Sequence, residues 1–193
     1  MKNLNVMIVG VGGQGTLLAS NVLGNVLMNT YKDVKVSEVH GMAQRGGSVV
    51  TYVKAGDEAM SPVIEKGEAD VILAFEQMEA ARWLPYLKKG GQMIVNTQKI
   101  NPMPVITGAA EYPGDIIESF EETGIDLIKI DALAKAQEAG SSKVVNVVLL
   151  GTMAKISGIT YDAFISVIKE IIPEKFLEMN LKAFDLGYSF GDR

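Results

Sequence analysis

Short apolar runs alternate with stretches of helical periodicity along the first two thirds of the chain. Six runs have the length and the Val, Ile and Leu content of buried strands, at residues 4–9, 34–39, 48–53, 69–74, 92–96 and 125–130. Three stretches between them have the pattern of helices, at residues 16–28, 76–84 and 115–122. Strands that alternate with helices predict a mainly parallel sheet covered by helices on both faces.

The last third of the chain is predicted to be helical. Three helices are indicated there, at residues 144–156, at residues 161–171 and from Pro173 to about residue 186. Thr160 is suited to cap the second of these helices, because its hydroxyl can accept a hydrogen bond from the first turn. Residues 187–193 are expected to be loose.

No internal repeat, low-complexity tract or linker divides the chain. We therefore predict one α/β domain over residues 1–193, Rossmann-like and three-layered, with a mainly parallel sheet, a core at about residues 4–186 and a helical C-terminal portion. Residues 88–91, Lys-Lys-Gly-Gly, are predicted to form a turn before the fifth strand. Residues 101–104 and 112–114 are rich in proline and glycine and are predicted to be loops.

Composition excludes several kinds of site and partner. The chain has no cysteine, so it forms no disulfide and offers no thiolate to zinc or to an iron–sulfur cluster, and with the single histidine His40 it cannot build a multi-histidine metal site. The formal net charge of -5 argues against nucleic-acid binding. No apolar run reaches the roughly 20 residues that cross a bilayer, and the start of the chain is unlike a secretory signal, so a cytoplasmic protein is expected.

The sharpest motif fits the spacing G-x-G-x-x-G after a predicted strand and before a predicted helix. It reads Gly10-Val11-Gly12-Gly13-Gln14-Gly15. Without a Cβ, glycine lets the backbone turn tightly and approach a pyrophosphate at the positive end of a helix, and Glu38 stands where a ribose-binding carboxylate is expected. The alternative is that the glycines only permit a tight turn and close packing. The amide of Gln14 could contact a ligand, another subunit or its own loop.

A second motif reads Gly41-Met42-Ala43-Gln44-Arg45-Gly46-Gly47-Ser48. Arg45 is one of only three arginines in the chain, and its planar guanidinium is suited to phosphate or carboxylate. The alternative is that Arg45 braces loop carbonyls or pairs with an acidic residue. His40 precedes this motif, and a lone histidine at a strand end is more often structural than a general base.

Three further polar residues require an account. Glu76 and Glu79 are spaced i,i+3 on a predicted helix and are expected to face solvent or to cap its first turn. Asn146 lies within an apolar run and needs a hydrogen-bond partner if it is buried, either in the glycine turn or in a neighbouring chain. No catalytic residue and no metal ligand is predicted.

Six segments together resemble the gamma-type domain of 2-oxoacid:ferredoxin oxidoreductases, and within that family the indolepyruvate (arylpyruvate) branch. They are G-V-G-G-Q-G-T at residues 10–16, H-G-M-A-Q-R-G-G-S at 40–48, G-E-A-D-V-I-L-A-F-E at 67–76, P-Y-L-K-K-G-G at 85–91, V-N-T at 95–97 and K-V-V-N-V-V-L-L-G at 143–151. The resemblance covers about residues 4–186. The G-M-A-Q form of the second motif indicates the arylpyruvate branch.

The resemblance implies a reaction in which a 2-oxoacid is oxidatively decarboxylated to an acyl-CoA while ferredoxin is reduced. It also implies that thiamine diphosphate, Mg and the iron–sulfur clusters belong to a large alpha subunit, so that this chain is a non-cluster subunit that binds none of these cofactors itself and is inactive alone. It would reach ferredoxin through the complex and help to hold coenzyme A. The residues that match the family motifs are Gly10, Gly12, Gly13, Gln14, Gly15, Arg45, Gly46 and Gly47.

Two other functions remain open from the sequence. The glycine spacing and Glu38 would also suit a stand-alone NAD(P)-binding oxidoreductase. A non-catalytic scaffold subunit, whose glycine turns serve protein contacts, would suit the same residues.

Overall fold

A computed structural model describes residues 3–41, 46–58 and 61–190 of the chain. Its strands are β1 (Leu4–Val11), β2 (Asp33–His40), β3 (Ser48–Gly56), β4 (Ala69–Ala74), β5 (Leu87–Asn96) and β6 (Asp126–Ile130). They form one sheet in the order β2-β3-β1-β4-β5-β6. Strands β1, β4, β5 and β6 pair in parallel with one another, as predicted.

Strand β3 is the reversed strand of the sheet. It pairs antiparallel with both β1 and β2. The connection from His40 to Ser48 is too short for a parallel crossover, which takes about a dozen residues or more, so β2 and β3 must run in opposite directions.

Helices cover both faces of the sheet, which confirms the three-layer α/β prediction. The described helices are α1 (Thr16–Met28), α2 (Gln77–Trp83), α3 (Met103–Ile106), α4 (Ile116–Glu122), α5 (Ala132–Ala139), α6 (Val145–Ser157), α7 (Tyr161–Ile171) and α8 (Glu174–Phe190). Alternate residues of β1 enter opposite layers of the core, because side chains alternate along a strand. Val6 and Ile8 pack with α1 and with α5 to α8, whereas Met7 and Val9 pack with α2 and α4.

Three local predictions are wrong. Residues 88–91 were predicted to be a turn before the fifth strand, but they lie inside β5. Leu87 pairs with Ala69 and Gln92 pairs with Val71, so residues 88–91 form a bulge within the strand. The single turn α3 begins at Met103, within the loop that was predicted at residues 101–104. The last helix continues to Phe190, so residues 187–190 are helical and not loose.

Helix α8 extends because it packs closely on α6 through two glycines. A methyl group built on Gly151 would come closer than 3.0 Å to the carbonyl oxygen of Phe184, and one built on Gly187 would do the same at Val148. The Thr152 hydroxyl donates across the same crossing to the Gly187 carbonyl at 3.1 Å. The two helix backbones therefore touch where neither residue has a side chain.

Candidate functional site

The glycine turn, Gly10 to Gly15, joins β1 to α1 at the carboxyl edge of the parallel strands. From β1 the chain passes through α1 to β2 on one side of the sheet, and from the neighbouring β4 it passes through α2 to β5 on the other side. The helices α1 and α2 pack on opposite faces. A doubly wound sheet binds its ligands at such a switch point, so the fold places the turn where a ligand is expected.

Each of three glycines in this turn has a local reason. Gly13 and Gly15 have φ of 101° and 81°, a left-handed conformation that side chains disfavour. A Cβ on Gly15 would also lie 2.7 Å from Nδ2 of Asn146. A Cβ on Gly10 would lie 2.8 Å from Oε1 of Gln14 and 2.9 Å from Cβ of Phe75. Two of the three glycines in the G-x-G-x-x-G spacing, Gly10 and Gly15, are therefore explained here without a nucleotide.

Gln14 contacts its own loop and the neighbouring strand. Its Oε1 accepts a hydrogen bond from the Val11 amide at 2.8 Å, and its Nε2 donates to the Phe75 carbonyl at 3.0 Å. The buried Asn96 donates to the same carbonyl at 3.0 Å and accepts from the Ala132 amide at 3.1 Å. Two side-chain amides thus tie together the ends of β1, β4 and β5. Asn96 lies in the V-N-T segment, and nothing in the sequence indicated this role for it.

Asn146 holds the other side of the turn. It is only 3% exposed, and its Nδ2 donates to the Gly15 carbonyl at 3.2 Å. Its Oδ1 accepts from the Val147 amide at 3.0 Å. The sequence left open whether Asn146 bonds to the glycine turn or to a neighbouring chain, and in the structure it bonds to the glycine turn.

The second glycine motif meets the first through its backbone. The Gly12 amide donates to the Gly47 carbonyl at 2.8 Å, and the Gly46 amide donates to the Gly12 carbonyl at 3.3 Å. The Gln14 amide is also engaged, by the Val11 carbonyl at 3.2 Å. Two amides of the turn are therefore not free for a pyrophosphate. Arg45 lies outside the described residues.

A cleft lies on each side of the turn, and the two clefts differ in charge. The Glu38 cleft has a volume of about 510 Å³ and is lined by Gly12, Gly13, Gly15, Thr16, Leu17, Glu38, His40 and Val49. The Lys143 cleft has a volume of about 520 Å³ and is lined by Gly13, Gln14, Gly15, Gln98, Leu133, Ser142, Lys143 and Val145. The carboxylate of Glu38, which accepts a hydrogen bond from the Thr51 hydroxyl at 3.3 Å, lines the first cleft. The ammonium group of Lys143 lines the second cleft.

Glu76 and Glu79 are both buried, so the expectation that they face solvent is wrong. Glu76 caps α2 as the alternative had it, because its Oε2 accepts from the Glu79 amide at 3.0 Å. Its Oε1 accepts from the Ile100 amide at 3.1 Å and from the Tyr112 hydroxyl. Burial, followed by the hydrogen bond to Glu76, raises the pKa of the Tyr112 hydroxyl well above its usual range. No feature of the sequence indicated Tyr112, since it lies in a loop.

His40 lines the Glu38 cleft together with Glu38 itself. Its side chain is exposed, and its Nδ1 lies 3.3 Å from the Gly41 carbonyl. Within residues 3–41, 46–58 and 61–190, no group of three His, Asp or Glu side chains is placed to hold a metal ion. None of the helices in that part of the chain is long and apolar enough to cross a membrane.

Comparison with known proteins decides the family. The family model described as pyruvate ferredoxin/flavodoxin oxidoreductase matches residues 5–190. The chain belongs to this family. The resemblance seen in the six sequence segments is therefore confirmed, and both glycine motifs lie within the matched residues.

Individual members of the family support the same placement. The indolepyruvate oxidoreductase subunit IorB of Pyrococcus horikoshii is 43% identical over 97% of this chain and 95% of its own length. The keto/oxoacid ferredoxin oxidoreductase gamma subunit of Geobacter sulfurreducens has the same fold, with a TM-score of 0.70 and 23% identity over 97% of this chain and 98% of its own. The 2-oxoglutarate:ferredoxin oxidoreductase of Magnetococcus marinus matches all of this chain over 31% of its own, with a TM-score of 0.72 and 20% identity.

Replacing Gln14 tests whether its side-chain amide stabilises the glycine turn. We expect Gln14→Leu to lower the free energy of unfolding by about 1–3 kcal/mol, because the Val11 amide loses its partner in a site of similar shape. Gln137→Leu on the exposed face of α5 is the matched control and is expected to change stability by less than about 0.5 kcal/mol. Urea unfolding measures both variants. Equal losses would mean that the two hydrogen bonds of Gln14 contribute nothing.

Proposed function

We propose that this chain is the non-cluster subunit of an indolepyruvate (arylpyruvate):ferredoxin oxidoreductase. The complex oxidatively decarboxylates the 2-oxoacid to an acyl-CoA and reduces ferredoxin. The observation that carries the proposal is the 43% identity, over nearly the full length of both chains, to a protein named as an indolepyruvate oxidoreductase subunit. The proposal includes a cytoplasmic location and a single domain over residues 1–193.

The chain's own residues do not fit the redox cofactors of such a complex. It has no cysteine for an iron–sulfur cluster, and the described residues bring no three metal-ligating side chains together. We therefore assign thiamine diphosphate, Mg and the clusters to a large alpha subunit. When bound there, thiamine diphosphate supplies the electron sink for decarboxylation, and the clusters carry electrons to ferredoxin.

The contribution of this chain is the wall that the glycine turn forms between the two clefts. Gly13 and Gly15 line both clefts. Because the amides of the neighbouring Gly12 and Gln14 already donate to carbonyls, the amides of Gly13 and Gly15 are the candidates for phosphate binding. Gly10 and Gln14 hold the turn in shape, and Gly46 and Gly47 brace it. The matched Arg45 is retained as a contact to ligand or partner on its sequence alone.

Charge favours one cleft for the phosphates of coenzyme A. The ammonium of Lys143 attracts an anion into the Lys143 cleft, whereas the carboxylate of Glu38 repels one from the Glu38 cleft. The Glu38 cleft is better suited to a neutral, hydroxyl-bearing group, because a carboxylate accepts hydrogen bonds from hydroxyls. Coenzyme A is the first ligand to test, since it is bound in the structure of the Magnetococcus marinus enzyme.

The product of the purified complex tests the proposal. The chain is co-expressed with the large subunit encoded beside it, and the complex is supplied with indolepyruvate, coenzyme A and a viologen dye. We expect dye reduction that depends on coenzyme A and an indoleacetyl-CoA product identified by mass spectrometry. Dye reduction without an acyl-CoA product, or failure of the two chains to co-purify, would contradict the proposal.

The NAD(P)-dependent alternative is tested on the chain alone. Glu38 lines the same cleft as Gly12 and Gly13, as a ribose-binding carboxylate would. However, the amides of Gly12 and Gln14 are already engaged by carbonyls. We therefore expect no change in NADH fluorescence on titration with the chain. Saturable binding of NADH would favour the stand-alone enzyme.

A further inference from the structure

Glu79 places a carboxylate inside the protein next to the second glycine motif. The residue is only 3% exposed, and its Oε2 accepts a hydrogen bond from the Ser48 hydroxyl at 2.5 Å. Its Oε1 accepts from Nε of Arg82 at 3.2 Å. Because burying a charge is costly unless it is paired and hydrogen-bonded, these partners are what allow a carboxylate here.

Ser48 directly follows the two residues that bond to the glycine turn. Gly46 and Gly47 exchange backbone hydrogen bonds with Gly12, and Ser48 begins β3 opposite Val11. Glu79 belongs to α2, which packs on the sheet face opposite α1. The Gly46–Ser48 segment is thus fixed by the turn through its backbone and by α2 through a side chain.

We propose that Glu79 is a positioning residue that holds the Gly46–Ser48 segment against the glycine turn, so that the two glycine motifs act as one rigid unit. It touches neither cleft and acts through Ser48. The effect that we expect Glu79 to have on coenzyme A binding rests on the proposed function. Gly12 lines the Glu38 cleft and precedes Gly13 and Gly15, so a loosened Gly46–Ser48 segment changes the wall that coenzyme A is proposed to contact.

Hydrogen exchange tests the positioning role without any activity. In the full-length chain, the Gly12 and Gly46 amides are followed by NMR in Ser48→Ala, in Glu79→Ala and in the near-isosteric Glu79→Gln. We expect exchange at both amides to rise about 10-fold in Ser48→Ala and Glu79→Ala, which corresponds to the loss of roughly 1.4 kcal/mol of local stability. Glu79→Gln keeps an oxygen that accepts from Ser48 and is expected to fall between wild type and Glu79→Ala.

The controls separate loosening of the segment from general damage. Amides at the centre of β3, such as that of Val53, are expected to keep their wild-type protection in all three variants. Glu118→Gln replaces an exposed glutamate on α4 and is expected to leave Gly12 and Gly46 unchanged. Wild-type exchange at these two amides in Ser48→Ala would overturn the proposal. Equal acceleration of Val53 would overturn it as well, because the effect would then be global.

Kinetics of the complex then distinguish this proposal from the proposed function. Ser48→Ala is expected to raise the KM for coenzyme A about 10-fold while the KM for indolepyruvate and kcat at saturation stay within about twofold. Wild-type KM values for both substrates in that variant would overturn the proposal. If the wild-type complex itself shows no dependence on coenzyme A, the proposed function fails while the exchange result on Glu79 still stands.

Discussion

Gly187→Ala is expected to lower the free energy of unfolding by about 3 kcal/mol or more. The added methyl group would come closer than 3.0 Å to the Val148 carbonyl, which is part of the α6 backbone and cannot turn aside as a side chain can. Overpacking of this kind costs about 1–3 kcal/mol and occasionally more, and it outweighs the roughly 1 kcal/mol by which alanine favours a helix over glycine. Gly151→Ala is expected to behave in the same way against the Phe184 carbonyl.

Gly24→Ala is the matched control for these substitutions. Gly24 also lies inside a helix, α1, but a methyl group there would meet only the Val36 side chain, at 3.2 Å. Val36 is 45% exposed and has room to move. The free energy of unfolding of Gly24→Ala, measured in urea, is expected to stay within about 1 kcal/mol of wild type. Equally mild effects at Gly24 and Gly187 would mean that α6 and α8 do not touch through their backbones.

Glu76→Ala is expected to cost about 3 kcal/mol of unfolding free energy. The substitution removes the acceptor of the Glu79 amide, the Ile100 amide and the Tyr112 hydroxyl at once. Each buried donor left without a partner costs about 1–3 kcal/mol, although the loop that carries Ile100 and Tyr112 can recover part of this by opening to water. Glu76→Gln keeps the volume and one acceptor oxygen, so a smaller loss is expected.

The pKa of Tyr112 provides a second measurement on the same variant. Burial and the contact with Glu76 together raise it, so in Glu76→Ala the ultraviolet titration of Tyr112 is expected to move to lower pH and to remain above that of a free tyrosine. Glu121→Ala is the control, because its exposed ion pair with Lys129 contributes less than about 1 kcal/mol. An unchanged Tyr112 pKa together with a stability loss no larger than that of Glu121→Ala would contradict the role given to Glu76.

The elements that the sequence predicts best are those defined by local pattern. Helix α1 and strand β4 have the predicted bounds, because α1 lies between Gly15 and Asn29 and the apolar run of β4 begins directly after Glu68. The errors arise where a distant partner decides the structure. Gly187 is helical because it meets Val148 on α6, and nothing within residues 187–193 indicates this contact. Residues 88–91 lie inside β5 because Leu87 and Gln92, on either side of them, both pair with β4.

The candidate site divides in the same way. The spacing of Gly10 to Gly15 correctly predicts a strand, a turn and a helix, and the turn lies at the carboxyl edge of the parallel strands. Which amides of the turn are free depends on Gly47, and the conformation of Gly15 depends on Asn146, both far away in the sequence. Glu76 and Glu79 are buried because Ser48, Ile100 and Tyr112 supply their donors. The helical spacing alone favoured a pair that faces solvent or caps the first turn of the helix.

The most direct test of the account is an add-back titration of this chain onto the separately purified large subunit. The coenzyme-A-dependent rate of indolepyruvate oxidation is measured with a viologen acceptor at a fixed concentration of the large subunit. We expect a negligible rate without this chain and a rise to saturation as the complex forms. A large subunit that is equally active alone would contradict the proposal that this chain is a required subunit whose glycine turn contacts coenzyme A.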